Sequence, residues 1–253
     1  MMRKNIFILT LSVLSFTACT RYFISKPVQL RPIAISDTLA APSSALSQQI
    51  SAYLQPYHDS LEARMTTVLV KSPRRLTKGG AESELGNLMA DILREMGQER
   101  YGKPVDLAIT NNGGIRTDFP AGNVTLGNVY EVMPFDNELV ALTLSGETMQ
   151  KVIDYLAQRK EPQSGLKLVI DKTTNKPIEA LIGGKPLDLK GTYTLITSDY
   201  MAVSSDMAAI VKNNQGFQVL QYLMRDAIAD YLRRKGKQNE ELNPKKDGRT
   251  VVQ

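Results

Sequence analysis

The six residues 111–116, Asn-Asn-Gly-Gly-Ile-Arg, combine two amides, a flexible turn and a fixed cation. An apolar run, Val105 to Thr110, precedes them and predicts a buried strand, and ligands gather where strands end in sheets flanked by helices. Gly113 and Gly114 permit backbone angles that other residues resist, and they let N–H groups approach a ligand. Arg116 offers a planar fork for phosphate or carboxylate. This pattern predicts a site for a small anionic ligand; the alternative is a glycine turn whose arginine caps a carbonyl.

The 253-residue sequence contains a single histidine, His58, which argues against several kinds of enzyme. A dinuclear metallohydrolase centre needs several His and carboxylate ligands to hold two ions, so we expect no such metal site in this chain. A Ser-His-Asp triad on His58 would lack a nucleophile-elbow pattern elsewhere in the sequence. We therefore expect a surface histidine and no catalytic residue of these classes.

The composition is that of a globular domain, with 42% apolar and 23% charged residues, and one domain is expected. The net charge of +5 collects partly near the C-terminus. The basic residues there are Arg233, Arg234, Lys235, Lys237, Lys245 and Lys246. No aromatic stacking residues are interleaved with them, so we expect a solvated tail and no nucleic-acid partner.

The first eighteen residues have the layout of an export signal, with Arg3 and Lys4 before an apolar stretch that is too short to span a bilayer. Small residues before Cys19, the only cysteine, resemble a bacterial lipobox. We predict that Cys19 is lipidated and anchors the protein in the cell envelope, facing the periplasm or on the outer membrane. No cysteine then remains for a disulfide, a thiol nucleophile or a metal. The alternative is an ordinary signal peptide with an incidental cysteine.

A composition rich in Pro, Ser and Ala with little periodicity predicts a tether over residues 19–46, followed by a domain over 47–236 and a loose polar tail over 237–253. Within the domain, residues 48–64 are expected to form a helix disturbed at Pro56, and two apolar stripes predict further helices. The first stripe consists of Leu85, Leu88, Met89, Ile92, Leu93 and Met96, and the second of Met149, Val152, Ile153 and Leu156. Ser83 and Thr125 are candidate N-caps.

Strand patterns occur at residues 66–70, 139–144, 166–170, 178–182 and 193–197, the later ones separated by turns. A last helix is expected to carry Val219, Leu220, Leu223, Ala227 and Tyr231 on one side. Alternating helices and strands followed by a meander predict an α/β (α+β) fold, with layers built from a mixed sheet flanked by helices.

Four segments, in this order, resemble the C-terminal domain of the 5′-nucleotidase family, which is the part that binds the nucleotide. They are Glu82 to Leu88, Asn111 to Arg116, Met133 to Asn137 and Thr197 to Ala202. The likeness extends from about residue 47 to residue 235. In complete members an N-terminal metallophosphatase domain carries two metal ions that activate water. The resemblance therefore implies no catalytic residue and no cofactor in this chain, with divalent metals in a partner metallophosphatase.

Carried over by matching position, the resemblance implies that Phe135 and Tyr200 sandwich a base. Asn111 and Arg116 would contact base and phosphate, and Asp206 would reach the ribose hydroxyls. Gly113 belongs to the same predicted set because its backbone can approach the ligand. Stacking on an aromatic face contributes about 1–3 kcal/mol per base. The structural alternatives are that the two rings belong to the core and that Asp206 is a turn residue.

Two departures from the family pattern weaken the implied site. Ser204-Ser205-Asp206-Met207-Ala208 stands where the family usually has Gly-Gly-Asp-Gly-aromatic, so the backbone freedom of those glycines is gone. An arginine that commonly precedes the Leu-Gly-Asn helix is missing, and Lys78 is the nearby cation. The leading hypothesis is the nucleotide-binding domain of a split 5′-nucleotidase. The alternatives are a stand-alone nucleotide- or nucleoside-binding lipoprotein and a degenerate domain that has lost its ligand.

Overall fold

The computed structural model of the protein describes residues 45–253, with side chains from residue 47 onward. The predicted signal peptide, the lipidation site Cys19 and almost all of the predicted tether lie outside the described residues. Among residues 45–253, no helix is both long enough and apolar enough to cross a membrane. Residues 54–253 form one unit that contains all three sheets.

The helices of the described part are α1 (Ala45–Met65), α2 (Glu84–Tyr101), α3 (Leu126–Val132), α4 (Gly146–Arg159), α5 (Asp199–Val203), α6 (Ala208–Val211) and α7 (Met224–Lys237). The strands are β1 (Val68–Ser72), β2 (Leu107–Ile109), β3 (Gly122–Thr125), β4 (Glu138–Ser145), β5 (Gln163–Ser164), β6 (Leu166–Ile170), β7 (Pro177–Ile182), β8 (Lys185–Pro186), β9 (Thr192–Ser198), β10 (Gly216–Leu223) and β11 (Thr250–Val252).

A five-stranded mixed sheet, in the order β10-β4-β9-β2-β5, lies at the centre of the fold. Its β9–β2 pair is parallel, and the other pairs are antiparallel. A four-stranded sheet has the order β11-β6-β7-β8, and β1 pairs with β3. The predicted mixed sheet flanked by helices is confirmed.

The strand β2 of the central sheet is buried on both faces, since all three of its residues are buried and successive side chains point to opposite faces. Leu107 and Ile109 of β2 belong to the hydrophobic cluster that contains α4 and the four-stranded sheet. Ala108, between them, belongs to the cluster that contains α2, α3 and α7. Two hydrophobic clusters, one on each face, therefore hold β2 in place, which matters because the candidate site begins at its end.

The predicted helix starts are confirmed. The Ser83 hydroxyl accepts the Gly86 N–H at 3.0 Å at the start of α2. Thr125 and Asn128 form a reciprocal capping box on α3, in which the Asn128 carboxamide accepts the Thr125 N–H at 3.0 Å. Each cap satisfies a backbone donor that the first helical turn leaves open. The helix α1 continues through Pro56 from Ala45 to Met65.

The predicted last helix is wrong over its first part. Residues Gly216–Leu223 form the edge strand β10, which pairs with β4 from Gly216 opposite Thr143 to Leu223 opposite Glu138. The helix α7 begins only at Met224, and it buries Ala227 through its apolar face. The apolar spacing of residues 219–223 fits a helix locally, but pairing with a distant strand overrides this local preference.

The prediction of a loose tail after Gly236 is also wrong. Thr250–Val252 form β11, which lies parallel to β6. Arg249, just before it, donates both terminal nitrogens to Asp91 at 2.7 and 3.0 Å and pairs with Asp247 at 2.7 Å. These ion pairs of Arg249, which lies outside the basic cluster noted in the sequence, fasten the C-terminal segment.

Residues at the start of α2 form hydrogen bonds with this C-terminal segment. Glu82 Oε1 accepts the N–H groups of Asp247 at 2.9 Å and of Gly248 at 3.2 Å. The Asn87 carboxamide donates to the Lys245 carbonyl at 2.8 Å. The family-like segment Glu82 to Leu88 thus has a structural use in this chain, since its polar side chains hold residues 245–248.

Replacing Arg249 with alanine should lower the free energy of unfolding by about 1.5–3 kcal/mol, because charge-assisted hydrogen bonds to Asp91 and Asp247 are lost. The matched control is Arg233→Ala, which breaks an exposed ion pair with Asp230 and should cost less than about 1 kcal/mol. Urea unfolding of both variants measures the difference. Equal stability of Arg249→Ala and the wild type would contradict the anchored C-terminus.

Candidate functional site

The topology of the central sheet brings three loops to one edge. Because β2 and β9 are parallel, their carboxyl ends meet, and Asn111 follows β2 while Tyr200 follows β9. The strand β4 runs antiparallel to β9 and starts opposite its end, with Leu139 facing Ser198. Phe135 precedes β4 and therefore reaches the same edge.

One cavity of about 370 Å³ lies where these loops meet. Its lining consists of Asn111, Gly113, Gly114, Arg116, Phe135, Asn137 and Tyr200. Five of the six residues predicted to bind a ligand therefore share one cavity, and Asp206 is the exception. The side chains of Phe135 and Tyr200 are 40% and 45% exposed, so neither ring belongs to the hydrophobic core.

A buried arginine positions the loop that carries Phe135. The Arg225 guanidinium lies 4.2 Å from the centre of the Tyr130 ring and pairs with Asp136. It also approaches the Phe135 carbonyl at 3.5 Å, and its side chain is only 11% exposed. Arg225 was not among the site residues predicted from the sequence. The sequence signal that could have identified it is a single cation on the apolar face of α7, because a buried arginine must be paired with another group.

Side-chain hydrogen bonds fix the start of α5, where Tyr200 lies. The Ser198 hydroxyl accepts the Met201 N–H at 3.1 Å and caps the helix. The neighbouring Thr197 hydroxyl donates to the Ile109 carbonyl at 3.0 Å, which ties the end of β9 to the end of β2. Both side chains are buried. The distance between Tyr200 and the loop after β2 is therefore set by a rigid part of the fold.

Gly114 is required for a different reason from the predicted one. Neither Gly113 nor Gly114 has the positive φ angle that favours glycine. A Cβ on Gly114 would instead lie 2.7 Å from the side-chain oxygen of Asn111. The Asn111 carboxamide therefore folds back over Gly114, and in the described part of the chain it has no hydrogen-bond partner. Asn111 lines the cavity, and its side-chain donor and acceptor are not engaged by other described residues.

Arg116 is the cation of this cavity. Its backbone N–H donates to Val132 at 2.9 Å, and its guanidinium makes one hydrogen bond, to the Gly113 carbonyl at 3.2 Å. Among residues 47–253 no carboxylate forms a salt bridge with it. The Lys78 amine, the other cation considered for phosphate, donates to the Ile115 carbonyl and does not line the cavity. Arg116 therefore has most of its donors available for an anion.

A second cavity of about 210 Å³ adjoins the first and shares Asn111 and Tyr200 with it. Asp206 lines this second cavity, where its carboxylate pairs with Arg159. Glu161 lines it too, and Glu161 Oε2 accepts the Asn112 N–H at 2.6 Å. Burial raises the pKa of the Glu161 carboxyl, against the lowering effect of this hydrogen bond.

Comparison with known proteins agrees with the resemblance seen in the sequence. Residues 63–213 match the model of the family described as 5′-nucleotidase, C-terminal domain. This match covers more than half of the 253-residue chain. The chain belongs to the 5′-nucleotidase C-terminal domain family.

Relatives of this 5′-nucleotidase C-terminal domain are much longer proteins. The chain is 26% identical over 206 residues to Protein UshA of Escherichia coli, a match that covers 78% of this chain and 36% of UshA. It is 26% identical over 196 residues to the 5′-nucleotidase of Vibrio parahaemolyticus, covering 71% and 33% of the two chains. A solved 5′-nucleotidase precursor from Thermus thermophilus superposes with a TM-score of 0.68 at 27% identity, covering 81% and 42%.

The chain thus spans less than half the length of each of these relatives. The family match therefore concerns this domain alone. Membership of that family agrees with a nucleotide-binding role. His58 of this 5′-nucleotidase C-terminal domain lies on α1, where its side chain is 66% exposed beside Asp59 and Glu62. The prediction of a surface histidine is confirmed.

In this 5′-nucleotidase C-terminal domain, Gly114→Ala should lower the free energy of unfolding by about 1–3 kcal/mol, because the new methyl group would press on the Asn111 carboxamide. Gly113→Ala is the matched control. A Cβ there would lie 3.4 Å from the Asn111 amide nitrogen, an ordinary contact, so stability should change by less than about 0.5 kcal/mol. Thermal unfolding measures both variants. A Gly114→Ala domain as stable as the Gly113→Ala domain would show that Asn111 does not fold back as described.

Proposed function

We propose that this chain is the nucleotide-binding, substrate-specificity domain of a split 5′-nucleotidase that supports phosphate ester hydrolysis in nucleotide catabolism. The observation that carries the proposal is the convergence of Phe135, Tyr200 and Arg116 on one cavity of about 370 Å³. Two half-exposed rings suit the two faces of a nucleobase. A guanidinium with unengaged donors suits the phosphate.

The other residues of the cavity complete this role. The Asn111 carboxamide has a donor and an acceptor for the edge of a base. Gly113 leaves room for a ligand beside the backbone. Asp206 lies in the adjoining cavity, where its carboxylate pairs with Arg159. To contact the ribose, this carboxylate would have to accept hydrogen bonds from the ribose hydroxyls while it stays paired with Arg159. Binding in this proposal therefore depends on stacking and on Arg116.

We further propose that a separate metallophosphatase supplies hydrolysis, with divalent metal ions bound in that partner. The sequence has one histidine, and dinuclear centres draw on several. Within residues 47–253, the single group of three side chains close enough to share an ion is His58, Asp59 and Glu62, all exposed on α1. In this division of labour, the chain holds and orients the nucleotide while the partner activates water. Anchoring through Cys19 would keep both proteins at the cell envelope.

Phe135→Ala and Tyr200→Ala should each weaken AMP binding roughly 5- to 150-fold, the equivalent of about 1–3 kcal/mol of stacking. Arg116→Ala should weaken AMP binding at least about tenfold and leave adenosine binding unchanged, because only AMP carries the phosphate. Isothermal titration calorimetry with both ligands measures these affinities.

The matched control for the ring variants is Phe217→Ala on β10, which removes an equally exposed phenylalanine away from the cavity. Its AMP affinity should equal that of the wild type. If the wild-type chain binds neither AMP nor adenosine, the domain is degenerate and the proposal fails.

The purified chain supplied with AMP and Mn²⁺ or Zn²⁺ should release no phosphate, because the described residues hold no buried metal site. Colorimetric phosphate detection measures this, and a complete 5′-nucleotidase is the positive control. Brisk turnover by the chain alone would overturn the proposed division of labour. Binding of AMP without any stimulation of a co-purified metallophosphatase would favour a stand-alone nucleotide-binding lipoprotein.

A further inference from the structure

The second cavity is lined mainly by polar groups that the proposed function does not use. Besides the shared Asn111 and Tyr200, its lining consists of Tyr155, Arg159, Glu161, Met201, Ser204, Ser205 and Asp206. Because Tyr200 borders both cavities, a base stacked on its ring would have an edge beside this polar space. The groups that line the second cavity are therefore placed to distinguish one base edge from another.

Glu161 is the acceptor best placed for that edge. It follows Lys160, the left-handed residue that ends α4, and the backbone N–H of Asn112 holds its Oε2 at 2.6 Å. Asn112 is the immediate neighbour of Asn111, which lines both cavities. A carboxylate has about four acceptor positions, so this one hydrogen bond orients the group and leaves others for a ligand.

The charges around Glu161 favour ligand groups that donate hydrogen bonds over ligand groups that are anionic. Its one cationic neighbour in the cavity, Arg159, is already paired with Asp206. The lining thus contains two carboxylates against one guanidinium, with the neutral phenol of Tyr155 beside them. A phosphate would be repelled here and would stay near Arg116 in the first cavity. A group rich in N–H donors would be attracted.

We propose that Glu161 reads the base and selects guanine, whose ring N–H and amino group present two adjacent donors. This inference rests on the proposed function. Adenine places an acceptor nitrogen where guanine has its ring N–H, so a carboxylate would face a lone pair. Hypoxanthine keeps the ring N–H but lacks the amino group, and it should rank between the two. Good bidentate pairs discriminate between bases by roughly 5- to 150-fold.

Calorimetric titration of the full chain with GMP, IMP and AMP tests this assignment. The wild type should bind GMP about tenfold or more tighter than AMP, with IMP between them. Glu161→Gln keeps an acceptor for the Asn112 N–H but replaces one oxygen with an NH₂ group. In this variant GMP affinity should fall about tenfold or more, while AMP affinity is unchanged or stronger.

Glu179→Gln is the matched control, because Glu179 forms a surface ion pair with Lys167 on the four-stranded sheet. It should keep the wild-type preference, and thermal unfolding checks that both variants fold. Equal affinity of the wild type for GMP and AMP would overturn the inference and leave nucleotide binding intact. An equal loss for all three ligands in Glu161→Gln would also overturn it. No binding of any of the three nucleotides would end the proposed function as well.

Discussion

The parallel pairing of β2 with β9 is the constraint on which the candidate site depends. It aligns the carboxyl ends of two strands, and the hydrogen bond from Thr197 to the Ile109 carbonyl ties those ends together. Packing on both faces of these strands prevents either strand from shifting by one residue, since a shift would move each side chain from one hydrophobic cluster into the other. Asn111 and Tyr200 therefore have a defined separation before any ligand arrives.

Phe135 belongs to a loop, and its position depends on electrostatics more than on strand pairing. Arg225 connects that loop to α7 through the Asp136 carboxylate and the Phe135 carbonyl, with the Tyr130 ring beneath it. A half-exposed phenylalanine would otherwise gain free energy by folding onto the protein surface. A ring held apart from the core in this way loses little conformational entropy when a ligand binds.

The local signals in the sequence located the elements well. Apolar stripes gave α2 and α4, and polar residues at Ser83 and Thr125 marked helix starts, because caps and amphipathic faces are short-range properties. The family-like segments indicated which loops gather at one edge. What could not be predicted depends on distant partners. The edge strand β10 needs β4, and the position of Asp206 depends on Arg159, 47 residues away.

The glycines of the Asn-Gly loop show the same limit on a smaller scale. Their presence predicted unusual backbone angles, but the structure uses Gly114 to admit the Asn111 side chain. A steric reason of this kind becomes visible only once coordinates define which atoms are neighbours. Glu161 was overlooked for a similar cause, since nothing in its own sequence neighbourhood shows that it reaches the backbone of Asn112.

The pairing of β11 with β6 has a consequence for shortened forms of the protein. A nonsense mutation or protease cut after α7 would remove β11 and uncover the backbone of Leu168 to Ile170. An uncovered strand edge is a template for pairing with other chains. Such a truncated form would leave the residues of the candidate site unaltered in sequence, yet it would be prone to self-association.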